Sequence, residues 1–245
     1  MNKIKAVLFD LDGTLLDTSP GVLSSVKYTI EKMGFQSLSE DALEEFIGPP
    51  IRKKMAEVYG ISDELAGTAM ECFRQNYGRE DLYKAEAYPG LTELLDELRQ
   101  KGYLLGVATY KREDQAQSLL EKKGLARFFD VIHGSDVDGK LTKADVVNLC
   151  IRDLTVPPQE TVMIGDSLND AVGAKEAGLK FIGVLYGFGF KSEKEIEALD
   201  HIGIAENCMG LKNIFKMRER LFVFYMKSLS YKYKEHGKEK NEKNQ

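Results

Sequence analysis

The sequence has no tryptophan, three cysteines and six prolines in 245 residues. Cys72, Cys150 and Cys208 are far apart and match no metal-ligand spacing, so neither a disulfide framework nor a cysteine-held zinc is expected. No apolar run approaches the ~20 residues that a helix needs to cross a bilayer. No internal repeat is visible. The N-terminus passes through Lys3 and Lys5 into a short apolar run, so no signal peptide is expected and a cytoplasmic location is. Positive charge is scarce outside the tail. The net charge is −5, but 216–245 holds nine Lys/Arg against four Asp/Glu, which leaves −10 on the remainder. An acidic body argues against nucleic acid as the main ligand.

What is present is organised around residues 5–18, KAVLFDLDGTLLDT. Ala6 to Phe9 form an apolar run with no polar break, the pattern of a short strand buried on both faces. It ends on Asp10-Leu11-Asp12-Gly13-Thr14. Residues two apart in an extended chain point the same way, so Asp10 and Asp12 are placed to meet where open α/β sheets bind ligands. Carboxylates that close repel each other unless a cation sits between them, and a hard divalent ion such as Mg2+ answers that need. Asp12-Gly13 alone is a common turn dipeptide. A calcium loop fails, because Gly13 comes too early and no acidic residue closes the twelfth position.

Further along, Ser19-Pro20 opens a helical pattern that stops at Gly34, and 39–48, 53–59 and 63–83 read as further helices. Residues 16–83 are therefore expected to be wholly helical. From Tyr88-Pro89-Gly90 onward the pattern alternates. Strands are expected at 103–109, 129–133, 161–165, 180–185 and 202–205, with helices at 91–101, 113–123, 142–154 and 168–177 between them. Ser192 with Glu195 reads as a capping box. Strands alternating with helices of this length imply a parallel sheet, an α/β fold.

Two more stretches carry chemistry. In VMIGDSLND, residues 162–170, an apolar strand delivers Asp166 at its end, and Asp170 follows in the first helical turn. Lys143 opens the helix after Gly139-Lys140-Leu141-Thr142. A cation at a helix N-terminus opposes the dipole unless an anion binds beside it; Lys140 is the nearby competitor.

FDLDGTLLDT resembles the first signature of the haloacid dehalogenase (HAD) phosphohydrolases. The resemblance covers about residues 4–215 and implies a Rossmann-like parallel-sheet core at 1–15 and 84–215, a helical cap at 16–83 inserted after the first strand, and an added basic extension at 216–245. It makes Asp10 the nucleophile, Asp12 the acid and base, and Thr109 the second signature, holding phosphoryl oxygens. Lys143 becomes the third signature, and Asp166 with Asp170 the fourth. Asp10, the backbone of Asp12 and Asp166 would then ligate Mg2+, with Asp170 in support. Tyr110 departs from the usual pattern, standing where Asn or Ser is common, and Tyr110 and Lys111 are candidates for substrate tuning. Within the cap, Phe46-Ile47-Gly48-Pro49-Pro50 and the following Arg52, Lys53 and Lys54 are candidates to face the site, Gly48 and Arg52 foremost.

The implied activity is Mg2+-dependent hydrolysis of a small phosphorylated metabolite through an aspartyl-phosphate, in the phosphoglycolate phosphatase-like branch with its 5′-nucleotidase-like relatives. A β-phosphoglucomutase-type phosphotransferase shares the nucleophile. A phospho-accepting signalling module uses similar residues but is about half this length. His133 and His201 are expected to be structural. The near P-loop at 134–140 has Leu141 where a hydroxyl should hold Mg2+, and Gly187-Phe188-Gly189-Phe190 lacks the third glycine of a dinucleotide fingerprint. The tail, with Ile214, Met217, Leu221, Tyr225 and Leu229 at helical spacing, reads as a final helix or as a basic surface for an anionic membrane or a partner.

Overall fold

A computed structural model describes residues 3–137 and 140–217. The chain begins with β1 (Ala6–Phe9), β2 (Leu16–Asp17), α1 (Ser19–Lys32), α2 (Glu40–Glu44), α3 (Ile51–Tyr59), α4 (Asp63–Tyr77) and β3 (Glu86–Ala87). There follow α5 (Leu91–Gln100), β4 (Leu104–Arg112), α6 (Glu113–Lys122), β5 (Val131–Ser135) and α7 (Lys143–Leu154). The last elements are β6 (Thr161–Gly165), α8 (Leu168–Glu176), β7 (Lys180–Val184), α9 (Glu193–Glu197) and β8 (Ile204–Ala205). Six strands form one parallel sheet in the order β5-β4-β1-β6-β7-β8.

The strand alternation explains the layers. Val7 and Phe9 point into the core shared with α5 and α6, whereas Ala6 and Leu8 point into the opposite core with α7 and α8. On α5, Leu91, Leu94, Leu95 and Leu98 are buried, a one-sided stripe at helical spacing. Strand order runs outward from β1 to β4 and β5, then returns to β6 on the other flank. That reversal beside β1 is the switch point where such sheets open a ligand crevice at the strands' carboxyl ends.

The insert after β1 is helical, as its pattern implies, but not wholly so. Leu16 and Asp17 pair antiparallel with Ala87 and Glu86, a two-stranded ribbon where the chain leaves and re-enters the core. Two-residue strands leave no periodicity in a sequence. The helix expected over 63–83 ends at Tyr77, and a short 3-10 turn, Asp81–Tyr83, follows. Nor does Ser192 form the expected capping box; Glu195 accepts from the Lys191 amide at 3.3 Å and the Ser192 hydroxyl at 3.2 Å. At the other end, residues 208–217 are helical, with Cys208, Leu211 and Phe215 buried in the core, Ile214 packed against it and Met217 exposed. Leu221, Tyr225, Leu229 and the expected contact surface of the tail lie outside the described residues.

One buried network ties the cap together. Asp81 Oδ2 accepts from Ser25 Oγ at 2.8 Å and Asn76 Nδ2 at 2.7 Å, and Asp81 Oδ1 lies 2.7 Å from Lys84 Nζ. Burial works against this carboxylate's charge, but the hydrogen bonds from Lys84, Ser25 and Ser24 outweigh it and hold the carboxyl below its ordinary value. Asp81→Ala strands these donors, so urea denaturation should show a loss of about 2–3 kcal/mol. Because the folded-state carboxyl is depressed, the wild type should keep this contribution above pH ~4 and lose it as pH falls below that value.

Candidate active site

Each chemical side chain sits at the carboxyl end of a strand or at the helix start beyond it. The Asp10 amide donates to Ile164 O at 2.9 Å, extending the β1–β6 ladder by one step before the chain turns. The turn is tight: the amides of Thr14, Leu15 and Leu16 all point at Leu11 O. Gly13 makes it possible. Its φ is +82°, and a Cβ there would lie 2.4 Å from Asp166 Oδ2. Asp166 is aimed from the far side, its Oδ2 accepting the amides of Phe188 at 2.7 Å and Gly189 at 3.0 Å.

Lys143 reaches across the site from α7. Its Nζ lies 2.6 Å from Asp10 Oδ1 and 2.7 Å from Asp170 Oδ1. Asp170 is fixed by its other oxygen, which accepts the Ser167 amide at 3.1 Å and the Ser167 hydroxyl at 2.6 Å, a capping box for α8. Gly173, inside α8, leaves room for this reach, since a Cβ there would lie 2.6 Å from Lys143 Cγ. Tyr110 is part of the same seat. Its hydroxyl accepts the Lys143 amide at 2.9 Å, and the Lys143 ammonium stands 5.6 Å from its ring centroid. Thr109 is buried, its hydroxyl accepting the Lys111 amide at 3.2 Å.

A second ammonium, that of Lys111 beside Tyr110, enters the same site. Lys111 Nζ lies 3.1 Å from Asp12 Oδ1, donates to Tyr77 Oη at 2.9 Å, and stands 4.8 Å from the Tyr77 ring centroid. Tyr77 belongs to cap helix α4, so the cap touches the carboxylate site through this lysine. Position explains its placement: Lys111 is two residues past Thr109 on the same strand, hence on the same face.

Electrostatics follow from burial. Burial raises the Asp10 carboxyl; Lys143 opposes the rise, while Asp170, Asp166 and Asp12 add to it. The Asp166 carboxyl is pushed up to about 6, by burial first and by Asp170 second, against the pull of the Gly189 and Phe188 amides. Lys143 is held protonated by Asp10 and Asp170 although burial works against its charge. With Asp10, Asp12, Asp166 and Asp170 ionised against Lys111 and Lys143, the site carries −2. One carboxylate oxygen each from Asp10, Asp166 and Asp170 come within 4.8 Å of one another. Net charge, all-oxygen donors and spacing fit a hard divalent cation.

Over the carboxylates lies a cavity of about 1020 Å3. Asp10, Asp12, Asp166, Tyr110 and Lys111 form its floor, and Phe46, Ile47, Gly48, Pro49 and Pro50 of the cap form part of its wall. Arg52 is not among the lining residues, a correction to its expected place: its guanidinium is bound by Asp63 and half exposed. Lys54 takes that place. On α3 the buried stripe is Ile51, Lys54 and Met55, and this helical phase turns Arg52 and Lys53 outward. His133 bridges Glu113 and Asp153, and His201 bonds Leu199 O; neither lines the cavity.

The model for haloacid dehalogenase-like hydrolases matches residues 7–184. The chain belongs to that family. This HAD-like hydrolase is 35% identical over 193 residues to a 5′-nucleotidase of Pseudomonas aeruginosa, covering 78% of this chain and 86% of that one. It is 30% identical over 194 residues to a phosphoglycolate phosphatase of Vibrio parahaemolyticus, covering 76% and 85%. A solved HAD-like family hydrolase from Streptococcus pneumoniae superposes with a TM-score of 0.79 at 30% identity, over 88% of this chain and all of that one. The HAD-like protein is thus an enzyme of the hydrolase class; phosphatase, 5′-nucleotidase and pyrophosphatase are among the names its relatives carry, and tyrosine-protein kinase is another. A stand-alone signalling module is set aside. Among the described residues, no helix is long and apolar enough to cross a membrane.

Proposed function

We propose that this HAD-like hydrolase is a Mg2+-dependent phosphomonoesterase of small phosphorylated metabolites, working through an aspartyl-phosphate on Asp10. The observation that carries the reading is Lys143 Nζ, buried 2.6 Å from Asp10 in a pocket with three more carboxylates. A buried carboxylate is a poor nucleophile toward an anionic phosphate until the surrounding negative charge is balanced.

Asp10 attacks phosphorus as the P–O bond to the leaving group breaks, and Asp12, which takes up a proton when the substrate phosphate enters, gives that proton to the departing oxygen. Water then attacks the phosphoryl group and passes a proton to Asp12, which restores Asp10 and frees inorganic phosphate. Lys143, kept in register by Asp170 and by the Tyr110 hydroxyl on its amide, balances charge on Asp10 and the transferring group. Thr109 and nearby amides serve the phosphoryl oxygens. Asp10, the backbone carbonyl of Asp12 and Asp166 would hold the divalent ion, with Asp170 behind them; when bound, it supplies charge neutralisation and orients the phosphate.

The test is steady phosphate release from p-nitrophenyl phosphate with added Mg2+, together with acid-quench trapping of one phosphoryl group on the peptide that carries Asp10. Turnover that is indifferent to chelation, or no trapped phosphoryl group, rejects this mechanism. Transfer of the phosphoryl group to an added sugar phosphate in preference to water would favour the mutase-type alternative.

A further inference from the structure

The two ammoniums of the site divide its carboxylates between them. Lys143 takes Asp10 and Asp170, and Lys111 takes Asp12, its Nζ 3.1 Å from Oδ1. That Oδ1 is buried and accepts no aligned hydrogen bond, and among the described residues Lys111 is the one side chain that grips the Asp12 carboxylate. A carboxylate held by a single point charge is placed by that charge, so the position of Lys111 decides the position of Asp12.

Lys111 is in turn held from the cap. Its Nζ donates to Tyr77 Oη at 2.9 Å and stands 4.8 Å from that ring's centroid. Tyr77 is the last residue of α4, buried and stacked on Phe73 with ring centroids 5.4 Å apart and planes 11° from parallel. At the next residue, Gly78, a Cβ would meet Gln115 Nε2 of α6 at 3.4 Å, so α4 ends against the core and its hydroxyl is presented from a fixed point. The lysine needs that anchor. An ammonium is a compact charge on a flexible four-carbon stem, with three donors that can swing together. Without the tyrosine hydroxyl it is free to turn toward an entering phosphate and to leave Asp12 unheld.

From this chain of contacts we infer that Tyr77 is a positioning residue: acting through Lys111, it sets where the Asp12 carboxyl stands relative to the leaving-group oxygen. Tyr77 itself moves no proton. The inference rests on the phosphomonoesterase reading and deepens it. The hydroxyl carries the role, because phenylalanine would keep the stack on Phe73 and the ring beneath the ammonium while removing the tether alone. The loss should therefore fall on the step that needs a well-placed proton donor.

Steady-state kinetics of the full-length enzyme with Mg2+ test this on two esters. Phenyl phosphate has a leaving group that needs a proton to depart, whereas p-nitrophenyl phosphate, of the same shape apart from its nitro group, does not. The quantity compared is kcat/KM, which on the proposed path covers the steps up to the aspartyl-phosphate. Tyr77→Phe should lower it at least fivefold more on phenyl phosphate than on p-nitrophenyl phosphate. In a Lys111→Met background the same change should cost less than twofold on either ester, because the tether then has nothing to hold. A selective loss below fivefold, or a further loss of twofold or more in the Lys111→Met background, overturns the inference, since the tyrosine would then serve the cap or the substrate directly. Should Lys111→Met have no measurable rate, the comparison of the two esters on Tyr77→Phe decides alone. A wild type that hydrolyses p-nitrophenyl phosphate but not phenyl phosphate also overturns the inference and leaves the phosphomonoesterase standing. A wild type that hydrolyses neither takes both down.

Discussion

Asp10→Asn is expected to lower kcat by at least about 10^4-fold while leaving the folded protein at least as stable as before. Both halves come from one environment. The nucleophile is lost outright, because an amide oxygen cannot form the mixed anhydride with phosphate. The scaffold around it is kept, because asparagine retains the oxygen that Lys143 reaches and Lys143 still has Asp170 at 2.7 Å. Stability should respond in the other direction. The Asp10 carboxyl is raised in the fold, so the native protein binds more protons than the unfolded chain above the ordinary carboxylate value near 4. Asp166, raised to about 6, adds to this. Without divalent cation, wild-type stability should therefore fall as pH rises from about 4 through 6, whereas the variant should fall less. Melting curves across that range check it: a gap between wild type and variant that does not widen with pH would mean the carboxylates are better compensated than their burial implies. Mg2+ should narrow the gap by stabilising the wild type more. Deamidation of the variant must be excluded by mass spectrometry, since a trace of restored aspartate would mimic residual activity.

The sequence made some of this arrangement legible for physical reasons. β1 is buried on both faces, so its apolar run is unbroken and Asp10 marks its end. Asp166 ends β6 in the same way, and the two strands are neighbours, so their terminal residues converge. Lys143 stood out because a cation at a helix start needs an anion, and Asp10 is one. Other parts left a weaker trace. Lys54 and Arg52 differ only in helical phase, and Ile51 with Met55 set that phase; following the stripe would have placed Lys54 inward. Lys111 and Tyr77 are 34 residues apart and meet only because the cap closes on β4. The Phe188 and Gly189 amides that hold Asp166 have no side-chain signature at all. The glycines of that loop carry the reason instead: at Gly187 a Cβ would fall 2.3 Å from Gly13 O and 2.5 Å from Asp166 Oδ2. The loop reads in sequence as a failed dinucleotide motif, whereas its glycines serve the close approach of two backbones.

Asp12→Asn should produce a loss that depends on the substrate. On the proposed path Asp12 acts twice, protonating the leaving oxygen and then deprotonating water. An alkyl phosphate needs both acts, so its turnover should fall by about 10^2- to 10^4-fold. p-Nitrophenolate leaves without help, so the first step should survive and the second should stall. Stopped-flow absorbance should then show one equivalent of p-nitrophenol released per enzyme, followed by a slow steady state, with phosphate remaining on Asp10. Equal losses on both ester classes, with no burst, would assign Asp12 to holding the cation or the fold rather than to moving protons. The geometry makes the distinction meaningful. Asp12 Oδ1 lies 3.1 Å from Lys111, and Lys111 in turn is held by Tyr77 at 2.9 Å on the cap. An asparagine whose oxygen faces Lys111 keeps that contact and the seating of the cap. What it lacks is the carboxyl's proton chemistry, the property that the comparison between the two esters isolates.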